Sequence, residues 1–147
     1  MSHGFTQFFT EMGHGFTRFF TVLRWGALGL VLVGCSGGLT PEEVASLAAK
    51  GYYRHLADGD CEHFLEGRVG SDSLPELYRE QLLTSCRQFV AQQKKLHQGI
   101  TDVSVSNVRR DTLTDYVSVF LLLKFGDATT EEIVVPMVEH NGKWRMK

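Results

Sequence analysis

The chain has 147 residues, 43% of them hydrophobic, and sets 15 Lys and Arg against 17 Asp and Glu for a net charge of −2. That length suits one domain once any leader is removed. No basic stripe is present, which argues against nucleic acid as a partner and against a polybasic grip on anionic lipid.

The N-terminal region reads as a secretory leader. Arg18 and Arg24 precede a short apolar run over 25–33, followed by Gly34, Cys35, Ser36 and two further glycines. Basic residues, a brief apolar core and a small residue before the cut are the marks of a signal peptide. The run is far below the roughly 20 residues needed to span a bilayer as a helix. Leu32-Val33-Gly34-Cys35 resembles the bacterial lipobox, in which the leader is cut before a cysteine that then carries lipid. The expected boundaries are a leader over 1–34, a lipidated Cys35 with a tether to residue 40, and a domain over 41–147. The near-repeat of 3–10 in 14–21 has two copies, too few for a solenoid. Met12 makes a better start than Met1, giving a leader of ordinary length. Removing residues 1–34 takes away Glu11, Arg18 and Arg24 and leaves a net charge of −3. Residues 36–40 reach roughly 17 Å when extended, so the domain is expected close to the lipid headgroups. No charge follows Cys35 directly, and a periplasm-facing lipoprotein is expected.

Within the domain, Thr40-Pro41-Glu42-Glu43 offers an N-cap, a proline at the first helical position and a glutamate at the third. Leu39 and Val44 stand where a hydrophobic staple would. Val44, Leu47, Ala48, Tyr52 and Leu56 recur at helical spacing and predict the buried face. Asp58-Gly59 ends the helix, and Asp60 caps a short second one with Cys61, Phe64 and Leu65 on one face. Gly67 and Gly70 mark a loop. Ser73-Leu74-Pro75-Glu76 reads as a second capping box, opening a long helix with Leu82, Cys86, Phe89, Val90 and Leu96 buried and Gly99 as its stop.

After Gly99 the period becomes 2. Val103 and Val105 alternate with serines. Residues 116–125 form the core strand, with Val117, Val119, Leu121, Leu123 and Phe125 on one side and Tyr116, Phe120 and Leu122 on the other. A strand apolar on both faces predicts a central position covered twice. The next strand is expected over 133–138, with Pro136 at an edge or bulge. Asn141-Gly142 predicts a two-residue hairpin into the final strand, 143–147. Helices followed by strands imply an α+β domain, three N-terminal helices on a curved four-stranded antiparallel sheet.

This order, with Gly51-Tyr52-Tyr53, Phe64-Leu65-Glu66-Gly67, the runs 74–82 and 89–94, the stretch 125–138 and the ending Asn141-Gly142-Lys143-Trp144-Arg145-Met146-Lys147, resembles nuclear-transport-factor-2-like (NTF2-like) domains. That superfamily includes ketosteroid-isomerase-like and polyketide-cyclase-like proteins. More narrowly, the chain resembles small bacterial lipoproteins of unknown function with that fold. The resemblance covers about residues 41–147 and implies a conical sheet, which serves as an enzyme pocket in some members and as a binding or pairing surface in others.

A catalytic carboxylate in such a cone would gain a raised pKa by desolvation. No Asp or Glu is expected on an apolar strand face, with Glu139 and Asp115 near strand ends. Tyr52, Tyr53, Tyr116 and Phe120 are the candidate pocket-lining residues, and His55 is a further inward candidate. No catalytic set emerges. His63, His97 and His140 are scattered, and neither metal nor cofactor is expected. Cys61 and Cys86 suit either a disulfide, allowed in an oxidising compartment, or two buried thiols. The function expected is a membrane-anchored, non-catalytic binding or assembly domain, with a membrane as one partner and a second copy through the sheet as another. The alternative is a small isomerase- or cyclase-like enzyme acting on an apolar substrate.

Overall fold

The computed structural model describes residues 37–147. The leader and Cys35 lie outside the described residues. The elements are α1 (Pro41–Ala57), α2 (Cys61–Glu66), a 3-10 turn (Ser71–Ser73), α3 (Glu76–His97), β1 (Ile100–Arg110), β2 (Val117–Phe125), β3 (Thr130–His140) and β4 (Lys143–Met146). The strands form one antiparallel meander in the order β1-β2-β3-β4. β1 carries register shifts between Ile100 and Asp102 and between Val105 and Asn107, and such bulges bend a sheet and increase its twist. The helices cover one face, giving the α+β layout expected from the sequence.

The capping box of α1 is formed. The Thr40 amide donates to Glu43 Oε2 at 2.7 Å, and the Glu43 amide donates to Thr40 Oγ1 at 3.2 Å. The buried face of α1, however, is not the one the pattern indicated. Ala45, Ser46, Ala49, Tyr53 and Leu56 are buried, whereas Val44 and Leu47 are exposed and Ala48 and Tyr52 are only partly covered. The helix is turned by about one residue. The facing sheet is already bulky, with Leu121 and Met137 fully buried. Alanine at positions 45 and 49 lets the helix axis come close, and the larger residues are displaced to the outside. Leu39 is exposed as well, so the staple with Val44 closes no core.

The second expected capping box does not form. Leu74 is extended (φ −70°, ψ 134°), Pro75 occupies the N-cap, and no side chain caps α3. A residue before proline is held out of the helical region, so Ser73 cannot start a helix through Leu74; its hydroxyl donates instead to the Gly70 carbonyl. Of the expected α3 stripe, Leu82 and Cys86 are buried together with Leu83, Phe89 and Val90 pack at the core margin, and Leu96 is exposed. α3 ends at His97, where Gln98 (φ 61°) and Gly99 (φ 79°) both adopt left-handed conformations. α3 meets mainly α2, and more lightly α1 and β1.

β2 alternates as read, with Val117, Val119, Leu121, Leu123 and Phe125 all buried. Among the described residues, no second layer covers its other face. Phe120 and Leu122 are half-buried there beside the exposed Val134, with the Arg109 guanidinium 5.9 Å from the Phe120 ring centre. β3 is longer than read and begins at Thr130. The Pro136 carbonyl accepts from the Lys147 amide, past the end of β4, so the missing proline N–H breaks no ladder bond. Asn141 (φ 52°) and Gly142 (φ 76°) make the two-residue turn.

A disulfide joins Cys61 on α2 to Cys86 on α3, with Cα atoms 5.9 Å apart and 25 residues between them in sequence. It fastens the least-covered helix to the rest. A cross-link closing a loop of that length stabilises by about 3 kcal/mol in the chain-entropy model. The double substitution Cys61→Ala/Cys86→Ala is therefore expected to lose about 3 kcal/mol in urea unfolding, with amide exchange rising first in the middle of α3. An unchanged urea midpoint contradicts this.

Candidate functional site

The β2–β3 turn is sewn to the end of α3. The Gly126 amide donates to the Gly99 carbonyl at 2.9 Å, and the Asp127 amide donates to the His97 carbonyl at 3.1 Å. Gly126 is required there, because a Cβ would sit 2.7 Å from both the Cβ and the carbonyl oxygen of Gln98. This closure places His97 against Asp127, with His97 Nδ1 2.8 Å from Asp127 Oδ2 and the imidazole 5.2 Å from the Phe125 ring. Asp127 also accepts from the Thr129 amide and hydroxyl. The Thr129 hydroxyl, then His97, lower its carboxyl to about 2.

Glu131 stands beside this pair. It is half-buried and shares the inner face of β3 with Ile133, Val135 and Met137, opposite Leu123 of β2. Burial raises its pKa, partly offset by His97. This is the inward carboxylate that the sequence reading did not expect. A strand starting at Ile133 leaves this residue out; carrying the alternation back by one repeat places Glu131 on the apolar face.

The candidate lining residues divide. Tyr53 is buried in the cone, its ring edge-on to Phe64 at 5.4 Å. Burial, with the nearby Glu131 charge adding to it, pushes its hydroxyl far above the usual tyrosine range. Tyr52 is partly buried, donates to the Trp144 carbonyl at 2.8 Å, and lies where any side chain at Gly67 would clash. Tyr116 and Phe120 do not line the cone. They belong to the outer side by the period-2 alternation, and Tyr116 is taken up by Lys147, whose ammonium lies 4.0 Å from its ring centre and donates to its hydroxyl. Glu139 and His140 are exposed at the end of β3, and Asp115 forms an exposed ion pair with Arg110 at 3.2 Å. His55, read as an inward candidate, faces Asp60 and His63 rather than the cone, so His63, one of the three histidines read as scattered, is gathered with it at one turn.

No family model and no curated protein matches the sequence. Among solved structures, a Campylobacter jejuni protein named an NTF2-like transpeptidase superposes with a TM-score of 0.54 at 16% identity, over 67% of this chain and 92% of that one. At that identity the likeness shows the fold. The chain has an NTF2-like fold: three helices on a curved four-stranded antiparallel sheet.

A half-buried carboxylate with a raised pKa is less stable charged in the folded state than in the unfolded chain. Its cost is fully present above the folded pKa and vanishes below the unfolded value of about 4.5. Glu131→Gln, which imitates the neutral form, is expected to raise the melting temperature at pH 7 and to lose that advantage by pH 4. Thermal melts at the two pH values check this, and a destabilised variant at pH 7 contradicts it.

Proposed function

We propose that this chain is a membrane-tethered NTF2-like module that binds a partner rather than converting a substrate. The observation that carries the reading is the filling of the cone by the chain's own side chains. Tyr53, Leu56, Phe64, Leu121 and Met137 are all buried between α1, α2 and the inner face of the sheet. A substrate pocket in this fold would occupy that space. The hydrogen bonds of His55, His63 and His97 run to carboxylates, and Cys61 and Cys86 are spent on each other.

The tether follows from the lipobox-like Leu32-Val33-Gly34-Cys35. Two or more acyl chains on one cysteine give stable anchoring, at about 0.8 kcal/mol per buried methylene. Among the described residues, no helix is long and apolar enough to cross a membrane. The end of the domain nearest the tether exposes Leu39, Val44 and Leu113 around an ion-paired Arg110, which links Glu42 of α1 to Asp115 of the β1–β2 loop. On this reading that end rests against headgroups, while the β2–β3 turn with His97, Asp127 and Glu131 lies roughly 26 Å away along β2. The half-exposed outer face around Phe120 and Leu122 offers a second copy or another protein a surface.

One observation favours an enzyme instead. Glu131 is an inward acid with a raised pKa beside an oriented histidine, which is how acid–base sites are built, and the Campylobacter neighbour carries a transpeptidase name. That reading would require the cone to open around Glu131.

Fractionation of cells expressing the full chain tests the tether. The native chain is expected in the membrane fraction with metabolically incorporated fatty acid. Cys35→Ser is expected to lose the label and leave the membrane fraction. Retention of the serine variant in the membrane, or recovery of the intact leader on mature protein, contradicts the reading.

A further inference from the structure

We propose that His55, Asp60 and His63 hold a divalent transition-metal ion of the zinc class, with coordination completed by water or a ligand. This proposal is independent of the tether and of the Glu131 region. The three residues come from the last turn of α1, the connection between α1 and α2, and the first turn of α2. One donor atom from each lies within 4.8 Å of the others.

The geometry of Asp60 carries the argument. Its Oδ1 is committed to capping α2 through the His63 amide at 3.3 Å. Its Oδ2 is aimed at two imidazoles, 3.1 Å from His55 Nδ1 and 2.6 Å from His63 Nδ1. The two rings stack with centres 4.9 Å apart and planes 23° from parallel. Two rings thus turn the same nitrogen toward one carboxylate oxygen, the arrangement of ligands converging on a shared ion. With metal–ligand bonds of about 2.0–2.1 Å in tetrahedral geometry, neighbouring donors stand roughly 3.3 Å apart. The two Asp60 contacts reach that spacing by opening less than 1 Å, as the ion replaces the ring protons that now bridge the gap.

The surroundings fit a cation. Glu66 places further negative charge near His63, and so does Glu62, whose carboxylate is shared with Arg79 at 2.8 Å and Arg87 at 3.7 Å. All three side chains retain exposure, which leaves an entry path. The turn itself is held firmly. The Asp60 amide donates to the His55 carbonyl at 2.8 Å, Gly59 takes φ 79°, and Cys61, the next residue, is fixed to α3 by the disulfide. Two imidazoles with one carboxylate select zinc-like ions over magnesium or calcium, which prefer all-oxygen sites.

The test uses the full chain in detergent, stripped with chelator and titrated with Co(II) under visible absorption, followed by displacement with Zn(II). One saturable equivalent is expected, with ligand-field bands and displacement by one equivalent of zinc. His55→Ala and His63→Ala are each expected to weaken binding at least about tenfold, the loss that removing even an outer-shell partner of a ligand produces. Zinc is also expected to raise the melting temperature of the native chain but not of the double variant. His140→Gln, on an exposed histidine at the end of β3, should bind as the native chain does. Absence of a saturable site, or unchanged binding in a folded His55→Ala/His63→Ala variant, overturns the proposal.

Discussion

The close approach of α1 to the inner face of the sheet governs the remaining architecture. It depends on two alanines, Ala45 and Ala49, at the points of contact. Small side chains there bring the axis near enough for Tyr53 and Leu56, one and two turns further on, to enter the cone and meet Phe64, Leu121 and Met137. Interiors are packed to crystal-like density, so space taken by these residues is closed to a ligand. The same approach leaves the larger Val44 and Leu47 facing outward. It also confines the inward carboxylate, Glu131, to the rim, where burial is partial and its charge is tolerated at some cost.

The order of elements was legible because its punctuation is chemical. The Thr40 capping box, the Asp58-Gly59 stop, the Asp60 cap and the Asn141-Gly142 turn each specify a backbone geometry through local hydrogen bonds or left-handed φ, and each is found in place. The alternation of β2 was equally plain. What hydropathy could not supply was the depth at which a helix packs. It weights Val44 and Leu47 above Ala45 and Ala49, whereas contact with a bulky sheet favours the smaller pair. It also overstated the cover on β2: Phe120 and Leu122 are apolar yet stand beside Val134 with no layer above them among the described residues.

The polar sites were hidden for a different reason, since each joins residues that are distant in the chain or divided between elements. His97 and Asp127 meet because a glycine-dependent turn is sewn to the end of α3. Glu131 was overlooked because an acidic pair, Glu131-Glu132, masks the start of β3. His55 and His63 converge only because a three-residue connection reverses the chain between two helices. Spacing in sequence could have suggested that last grouping, with histidines eight apart flanking an aspartate, but nothing in the pattern gives the turn of the chain. The molecule that results has exposed Leu39, Val44 and Leu113 around the Arg110 ion pairs at one end, a packed centre and the His97–Asp127 and Asp60 clusters toward the other.

A filled cone is the feature that sets this domain apart from an enzyme pocket of the same fold. Fluorescence titration of the folded chain with a naphthyl probe measures this directly, because such probes brighten on entering an apolar cavity. The native chain is expected to give no saturable binding at micromolar probe. Tyr53→Ala, which removes the ring packed edge-on against Phe64, is expected to create a site that binds it. Stoichiometric micromolar binding by the native chain would contradict the account and show an open pocket beneath α1.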